Sequence, residues 1–170
     1  AIQDLNSILA RCMQVANIEA KTINPTLADI DLGAMVRDLI NESNYSQLFC
    51  LNYTENIYVL TDKELLRIAI SNLIENAQKY SPDENEIRID LRKLETQKSV
   101  EIKILNIVRD AEWPDIDKLF MKFYRGTFAH RTAGSGLGLY IVKIIIEKLG
   151  GNIACERLGR YICFRLSLPC

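Results

Sequence analysis

Apolar residues at Ile2, Leu5, Leu9, Cys12 and Ala16 recur alternately three and four positions apart, with Ile8 and Val15 widening the stripe. This spacing predicts a helix from Ile2 to about Ala20 with a coiled-coil-type seam. Nothing nearby repeats the heptad, so the seam is expected to join a bundle whose other helices lie outside this chain. A helix packed on its own domain is the competing arrangement. Thr22 to Asp29, with Asn24-Pro25, reads as a linker, because proline and the residue before it both resist helix.

The pattern then changes to that of a packed domain. A short strand is expected around Ile30 to Leu32, then a helix from Gly33 to about Asn44 on the stripe Met35, Val36, Leu39 and Ile40. Leu48 to Tyr53 and Ile57 to Leu60 read as strands around a polar turn at Thr54-Glu55-Asn56. Thr61 or Asp62 caps a long helix whose inward residues are Leu65, Leu66, Ile68, Ala69, Leu73 and Ala77, and Ser81-Pro82-Asp83 stops it. Two alternating strands follow, on Ile87, Ile89 and Leu91 and on Val100, Ile102 and Ile104. Residues 106–135 are loop-rich, with a helical turn near Asp115 to Phe120. A helix from about Gly136 to Leu149 ends at Gly150-Gly151, and a hairpin (Asn152–Glu156, Tyr161–Leu168) turns at Gly159. The fold predicted is an α/β (α+β) two-layer sandwich, a mixed sheet with helices on one face.

Composition narrows the function only a little. The formal net charge of −1 supplies no global field toward nucleic acid or an anionic membrane. No apolar run approaches the length of a membrane span, and no charged-then-apolar leader opens the chain. A soluble piece is expected, cut from a parent that is membrane-bound only through other parts. Five scattered cysteines without C-x-x-C spacing argue for a reducing compartment and against a disulfide framework or zinc site.

Two short segments carry the chemistry. In Asn72-Leu-Ile-Glu-Asn76-Ala-Gln-Lys79-Tyr80-Ser81, the residues Asn72, Asn76 and Lys79 are spaced i, i+4, i+7 and share one helix face. Amide oxygens are hard ligands suited to Mg²⁺, which takes its other ligands from water and phosphate. Lys79 offers a point charge for phosphate, and Tyr80 a ring and hydroxyl for base or ribose. The alternative is an ordinary amphipathic helix, weakened because two asparagines in mid-helix oppose propensity. The second segment is Gly134-Ser-Gly136-Leu-Gly138-Leu-Tyr-Ile-Val. It is neither a P-loop nor the dinucleotide fingerprint, but glycines before a helix let backbone N–H groups close on an anion. A flexible hinge is the other reading. The two segments together describe a nucleotide site.

At these residues the chain resembles the catalytic, ATP-binding domain of sensor histidine kinases, in the GHKL (Bergerat-fold) ATPase superfamily. The resemblance spans about Ile30 to Pro169. Asn72 to Ser81 resembles the N-box, Leu119-Phe-Met-Lys-Phe-Tyr-Arg125-Gly126 the F-box, and Gly134 to Val142 the G2 box. It implies ATP and Mg²⁺ as cofactors, Asn76 as metal ligand with Asn72 supporting it, and Lys79 and Tyr80 on phosphates and sugar or base. Arg125 and Arg131 would flank a mobile lid. Gly134, Gly136, Leu137, Gly138 and Leu139 would form the phosphate loop. It also implies that 1–22 ends a dimerisation helix, 23–29 links, and 30–170 is the ATP-binding domain.

Departures from the pattern matter as much. Counting back from Phe120, the G1 box places Asn106, Val108 and Asp110 where the family has an aspartate and alternate glycines. Asn106 keeps a carbonyl acceptor for the adenine amino group but loses the charge, a difference of about 1 kcal/mol, or about five- to tenfold in affinity. Tyr161-Ile162-Cys163-Phe164 stands where the family often has Gly-Thr-x-Phe, so a hydroxyl near the base is missing too. A working site of reduced affinity is the expectation.

The lone His130 lies in the lid segment off any heptad seam, so the phosphoacceptor histidine is expected upstream of Ala1. Asn72 stands where hydrolytic relatives carry a glutamate base, and an amide cannot take a proton at neutral pH. The reading is therefore a protein-histidine kinase module, cytoplasmic, whose partners are ATP, the phosphoacceptor helix of its own homodimer and a response regulator, with no nucleic acid. The alternatives are a degenerate kinase serving as a regulator-binding scaffold or phosphatase, and another GHKL-type ATPase.

Overall fold

The structure, a computed structural model, describes residues 2–20, 24–44, 46–82, 85–109, 113–126 and 134–170. The chain order is α1 (Ile2–Glu19), β1 (Leu27–Asp31), α2 (Leu32–Glu42), β2 (Phe49–Asn52), β3 (Tyr58–Asp62), α3 (Lys63–Tyr80), β4 (Ile87–Leu94), β5 (Ser99–Ile107), α4 (Gly138–Lys148), β6 (Asn152–Leu158) and β7 (Tyr161–Pro169). Single turns of 3₁₀ helix lie at Ser46–Leu48, Glu95–Gln97 and Ile116–Lys118.

Five strands make one mixed sheet in the order β2-β4-β5-β7-β6, with β2 parallel to β4 and the other pairs antiparallel. Alternation puts Ile87, Ile89 and Leu91, then Val100, Ile102 and Ile104, then Ile162, Phe164, Leu166 and Leu168 on one face, all buried. Leu66, Ala69, Ile70, Leu73 and Ala77 of α3 and Ile141, Val142, Ile145 and Ile146 of α4 cover that face and share the same core. The other face carries ion pairs such as Arg88–Asp90 and Lys103–Glu101. The two-layer sandwich with helices on one face is therefore found as expected.

One pairing differs. The segments around the polar turn at 54–56 do not form a hairpin. β2 pairs with β4, while β3 joins β1 in a separate antiparallel ribbon, Ile30 opposite Val59. Alternating burial fixes which face a strand shows but not which neighbour it takes, and Val59 and Thr61 find their apolar match in β1. That ribbon also takes β1 from Leu27, inside the stretch expected to be linker.

The N-terminal helix differs as well. Its C-terminal half lies on its own domain, the arrangement treated above as the competitor. Val15 and Ile18 are buried, and Lys148 Nζ donates to Ile18 O at 3.2 Å. The seam residue Leu9 is exposed, as are Ile8 and Met13. The docked line is thus Val15, at the edge of the predicted stripe, and Ile18, with the seam residue Cys12 packed beside them. Among the described residues no helix is long and apolar enough to cross a membrane.

Asp62 ties α3 to the ribbon. Its Oδ1 accepts from Leu65 N at 3.0 Å as the helix cap, and its Oδ2 accepts from Thr26 N at 2.7 Å. Asp62→Ala leaves both donors without their partner and is expected to cost about 2 kcal/mol by urea unfolding. Asp62→Asn, which still accepts at one oxygen, should fall between; equal midpoints for all three proteins would refute this double role.

Candidate nucleotide site

Packing decides where the polar face of α3 points. With Leu66, Ala69, Ile70, Leu73 and Ala77 against the sheet, the half-buried Asn72, Asn76 and Lys79 are turned to one side, toward the start of α4. The 134–138 loop runs along that side. A Cβ placed on Gly134 would fall 2.5 Å from Lys79 Nζ, and one on Gly138 would fall 3.2 Å from Asn72 Oδ1. The two ends of the loop therefore rest on the two ends of the amide–lysine face, about 10 Å apart along the helix. The loop backbone thus lies close against that face.

The middle of the loop is fastened on its other side. Gly136 has φ +71°, and a Cβ there would meet the Phe123 carbonyl carbon at 2.7 Å. Phe123 N donates to Gly136 O at 3.0 Å, and Phe123 itself has φ +62° with an exposed ring. A phenylalanine in the left-handed region costs of order 1 kcal/mol or more. Strain of that kind at a loop junction is typical of functional sites.

The amides are not equivalent. Asn72 Oδ1 accepts from Arg11 Nη1 at 2.9 Å, and its Nδ2 donates to Ile68 O at 2.8 Å. Asn76 makes no side-chain hydrogen bond among the described residues, so its oxygen is the one open to a cation. Among those residues there is also no cluster of three His, Cys, Asp or Glu side chains able to hold a metal. Lys79 Nζ lies 5.1 Å from the centre of the Tyr80 ring, a cation–π contact that steadies both.

Asn106 is fully buried near the end of β5. Its Nδ2 donates to Ile107 O at 3.1 Å, and its Oδ1, equally buried, has no hydrogen-bond partner among the described residues. A buried acceptor left unsatisfied costs about 1–3 kcal/mol, which a ligand N–H would relieve. Opposite it on β7 stands Ile162, an aliphatic side chain where a hydroxyl was looked for. Val108 is buried, and its N–H donates to Arg160 O at 3.1 Å.

The remaining predicted residues divide. Leu137 is buried in the core, so only its backbone can face an anion, and Leu139 packs partly against the same core. Arg125 is exposed beyond Tyr124. Asp110, His130 and Arg131 lie outside the described residues.

Sequence reasoning missed the groups that α1 brings. Arg11 reaches Asn72 and also Glu75, Nη2 to Oε2 at 3.0 Å. Glu19 pairs with Lys122 at 2.7 Å and accepts from the Tyr140 hydroxyl. Lys122, then Tyr140, holds the Glu19 carboxyl below the usual carboxylate range, and Glu19 raises Lys122 in turn. Lys122 follows Met121 in the loop that carries Phe123. Both walls of the site are thus touched by α1. A cleft of about 320 Å³ between α1 and α3, lined by Arg11, Gln14, Ser71, Asn72 and Glu75 among others, runs along this contact.

Known proteins share this fold. Residues 61–170 match the family model described as Histidine kinase-, DNA gyrase B-, and HSP90-like ATPase. The sensor histidine kinase HprS of Escherichia coli is 29% identical over 171 residues, covering 99% of this chain and 37% of HprS. This chain therefore spans little more than a third of that relative's length. Among solved structures, the Acinetobacter baumannii histidine kinase AdeS superposes with a TM-score of 0.77 at 22% identity, covering 99% of this chain and 79% of that one. Full-length ShkA, in complex with AMPPNP, superposes with a TM-score of 0.76 at 21% identity, covering 97% and 35%. At that identity both show the fold alone.

Gly136→Ala suffers twice, from its φ and from contact with Phe123. It is expected to cost at least about 1 kcal/mol in urea unfolding and to speed amide exchange at Leu137 to Val142 relative to the β5 and β7 amides. Unchanged exchange there would show that the loop does not depend on this contact.

Proposed function

Because this chain belongs to the histidine kinase-, DNA gyrase B- and HSP90-like ATPase family, we propose that it binds Mg-ATP between α3 and the 134–138 loop as the catalytic module of a two-component sensor histidine kinase. The observation that carries this is the loop itself, bare backbone laid on Lys79 at one end and Asn72 at the other. The AMPPNP in the ShkA complex, an ATP analogue on the same fold, supports it.

Topology supports one polarity for the nucleotide. Asn106, with its unpartnered oxygen, lies next to Leu105, which pairs with Arg88 at the start of β4, just after the C-terminal end of α3. The base therefore belongs at the Tyr80 end, and the phosphates run back along α3 toward Asn72. Asn106 Oδ1 accepts from the adenine amino group. Lys79, beside Gly134, meets phosphate oxygens, and the first N–H groups of α4 close on the chain of phosphates. Mg²⁺, held by Asn76 and by phosphate oxygens, would neutralise their charge.

The reaction is transfer of the γ-phosphoryl group to an imidazole nitrogen on a dimerisation helix outside this chain. The P–O bond to ADP breaks as the P–N bond forms. Asn72 is an amide and takes no proton, so the site holds no base for water at that position and the acceptor helix supplies its own. Ile8, Leu9 and Met13, apolar and exposed on the free side of α1, fit a further helix of a homodimeric bundle. A response regulator is the onward partner, and the cytoplasm, where thiols such as the unpaired Cys170 stay reduced, is the compartment. A degenerate scaffold is the second reading, on the neutral Asn106 and on Val108 and Asp110 in place of glycines.

Titration of the 170-residue chain with Mg-ATP tests the reading. Saturable binding is expected, and Asn76→Ala should weaken Mg-ATP by at least about tenfold while leaving ATP in EDTA nearly unchanged. No saturation at millimolar nucleotide would sink the kinase and leave the scaffold; steady hydrolysis by this chain would favour another ATPase branch. Asn106→Asp restores the charge and should tighten ATP about five- to tenfold. A looser Asn106→Asp would place the base elsewhere.

A further inference from the structure

Arg11 stands apart from the other groups at the site, because it is a cation that a different element delivers. It sits on α1, and its guanidinium reaches across to α3, where Nη1 donates to Asn72 Oδ1 at 2.9 Å and Nη2 to Glu75 Oε2 at 3.0 Å. A Cβ on Gly138 would lie 3.3 Å from Nη1, so the guanidinium is set against the first residue of α4. The N–H groups of that first turn point toward any anion there, and the helix dipole has the same sign as the guanidinium.

The five-residue loop is therefore bracketed. Lys79 stands at Gly134 and Arg11 at Gly138. With the base at the Tyr80 end, Lys79 is near the start of the phosphate chain and Arg11 at its far end, where only a third phosphate would reach. Arg11 does not get there by chance of a long side chain. Val15 and Ile18, one and two turns further along α1, are buried, and Lys148 and Lys122 fasten the helix end through Ile18 O and Glu19.

Its present partners are easily exchanged. Glu75 is 62% exposed, so this ion pair is worth little. A guanidinium has five donors in a planar fork, which suits it to hold Asn72 with one edge and a phosphate with the other. We propose that Arg11 is a second phosphate-contacting cation, supplied by the N-terminal helix, which distinguishes a nucleoside triphosphate from a diphosphate. This rests on the Mg-ATP reading above.

The test is calorimetric titration of the whole chain with Mg-ATP and Mg-ADP, for the unaltered protein, Arg11→Ala and Arg11→Gln. The glutamine keeps a donor for Asn72 but drops the charge, which covers the case in which alanine loosens α1. Both variants are expected to lose about five- to tenfold in ATP affinity and less than about twofold in ADP affinity. Equal losses for both nucleotides would reduce Arg11 to a support for α3 and overturn the proposal, as would unchanged ATP binding. If the unaltered chain bound neither nucleotide, the Mg-ATP reading itself would fall; if it bound both and only the variants behaved alike, this inference alone would fail.

Discussion

Everything at the site depends on how closely the 134–138 backbone can approach α3. Lys79 Nζ and Asn72 Oδ1 already occupy the space that side chains at Gly134 and Gly138 would need. A polar face pressed that near to bare backbone is stable only if something else carries the packing. The buried sides of α3 and α4 do so, through Leu73, Ala77, Ile141 and Ile145. The hydrophobic core thus sets how near the loop lies to α3, and the glycines permit that close approach.

Within that slot the polar groups are held with unequal firmness, and the inequality assigns their roles. Asn72 is tied at both ends of its amide, so it works as a brace between α1 and α3. Asn76, one turn on, is not. Asn106 is the extreme case, a buried acceptor oriented by a hydrogen bond from its own amide nitrogen to Ile107 and left with nothing to accept. Folding the chain with that oxygen unsatisfied costs free energy that a donor N–H would return. On the Mg-ATP reading proposed above, the acceptor for the base is thus in place before any nucleotide arrives.

Most of this was legible in the sequence where the signal is local. Asp62, one of the two caps the sequence offered, caps α3, the strands from Ile87 and Val100 alternate as read, and the amide face and glycine loop meet. What sequence could not show is which distant surfaces touch. The run Phe49–Asn52 has a strand's composition whichever neighbour it takes, so its parallel pairing with β4 was not visible. On α1 burial takes Val15, at the edge of the predicted stripe, and Ile18, outside it. Arg11 carried no signal at all, because an arginine off the seam of a helix looks like solvated surface until the fold brings Asn72 beneath it.

Charge explains why a helix outside the sandwich matters to its interior. A triphosphate brings several negative charges into a space where water is partly displaced, and a single lysine with one helix terminus does little to balance them. Among the described residues, Lys122 is committed to Glu19, Arg125 is exposed beyond Tyr124, and the sheet's Arg and Lys residues cited above lie on the opposite face. Drawing the missing charge from α1 makes the docked position of that helix and the occupancy of the nucleotide site thermodynamically reciprocal. On the Arg11 proposal, whatever moves α1 changes what the site can hold through one guanidinium.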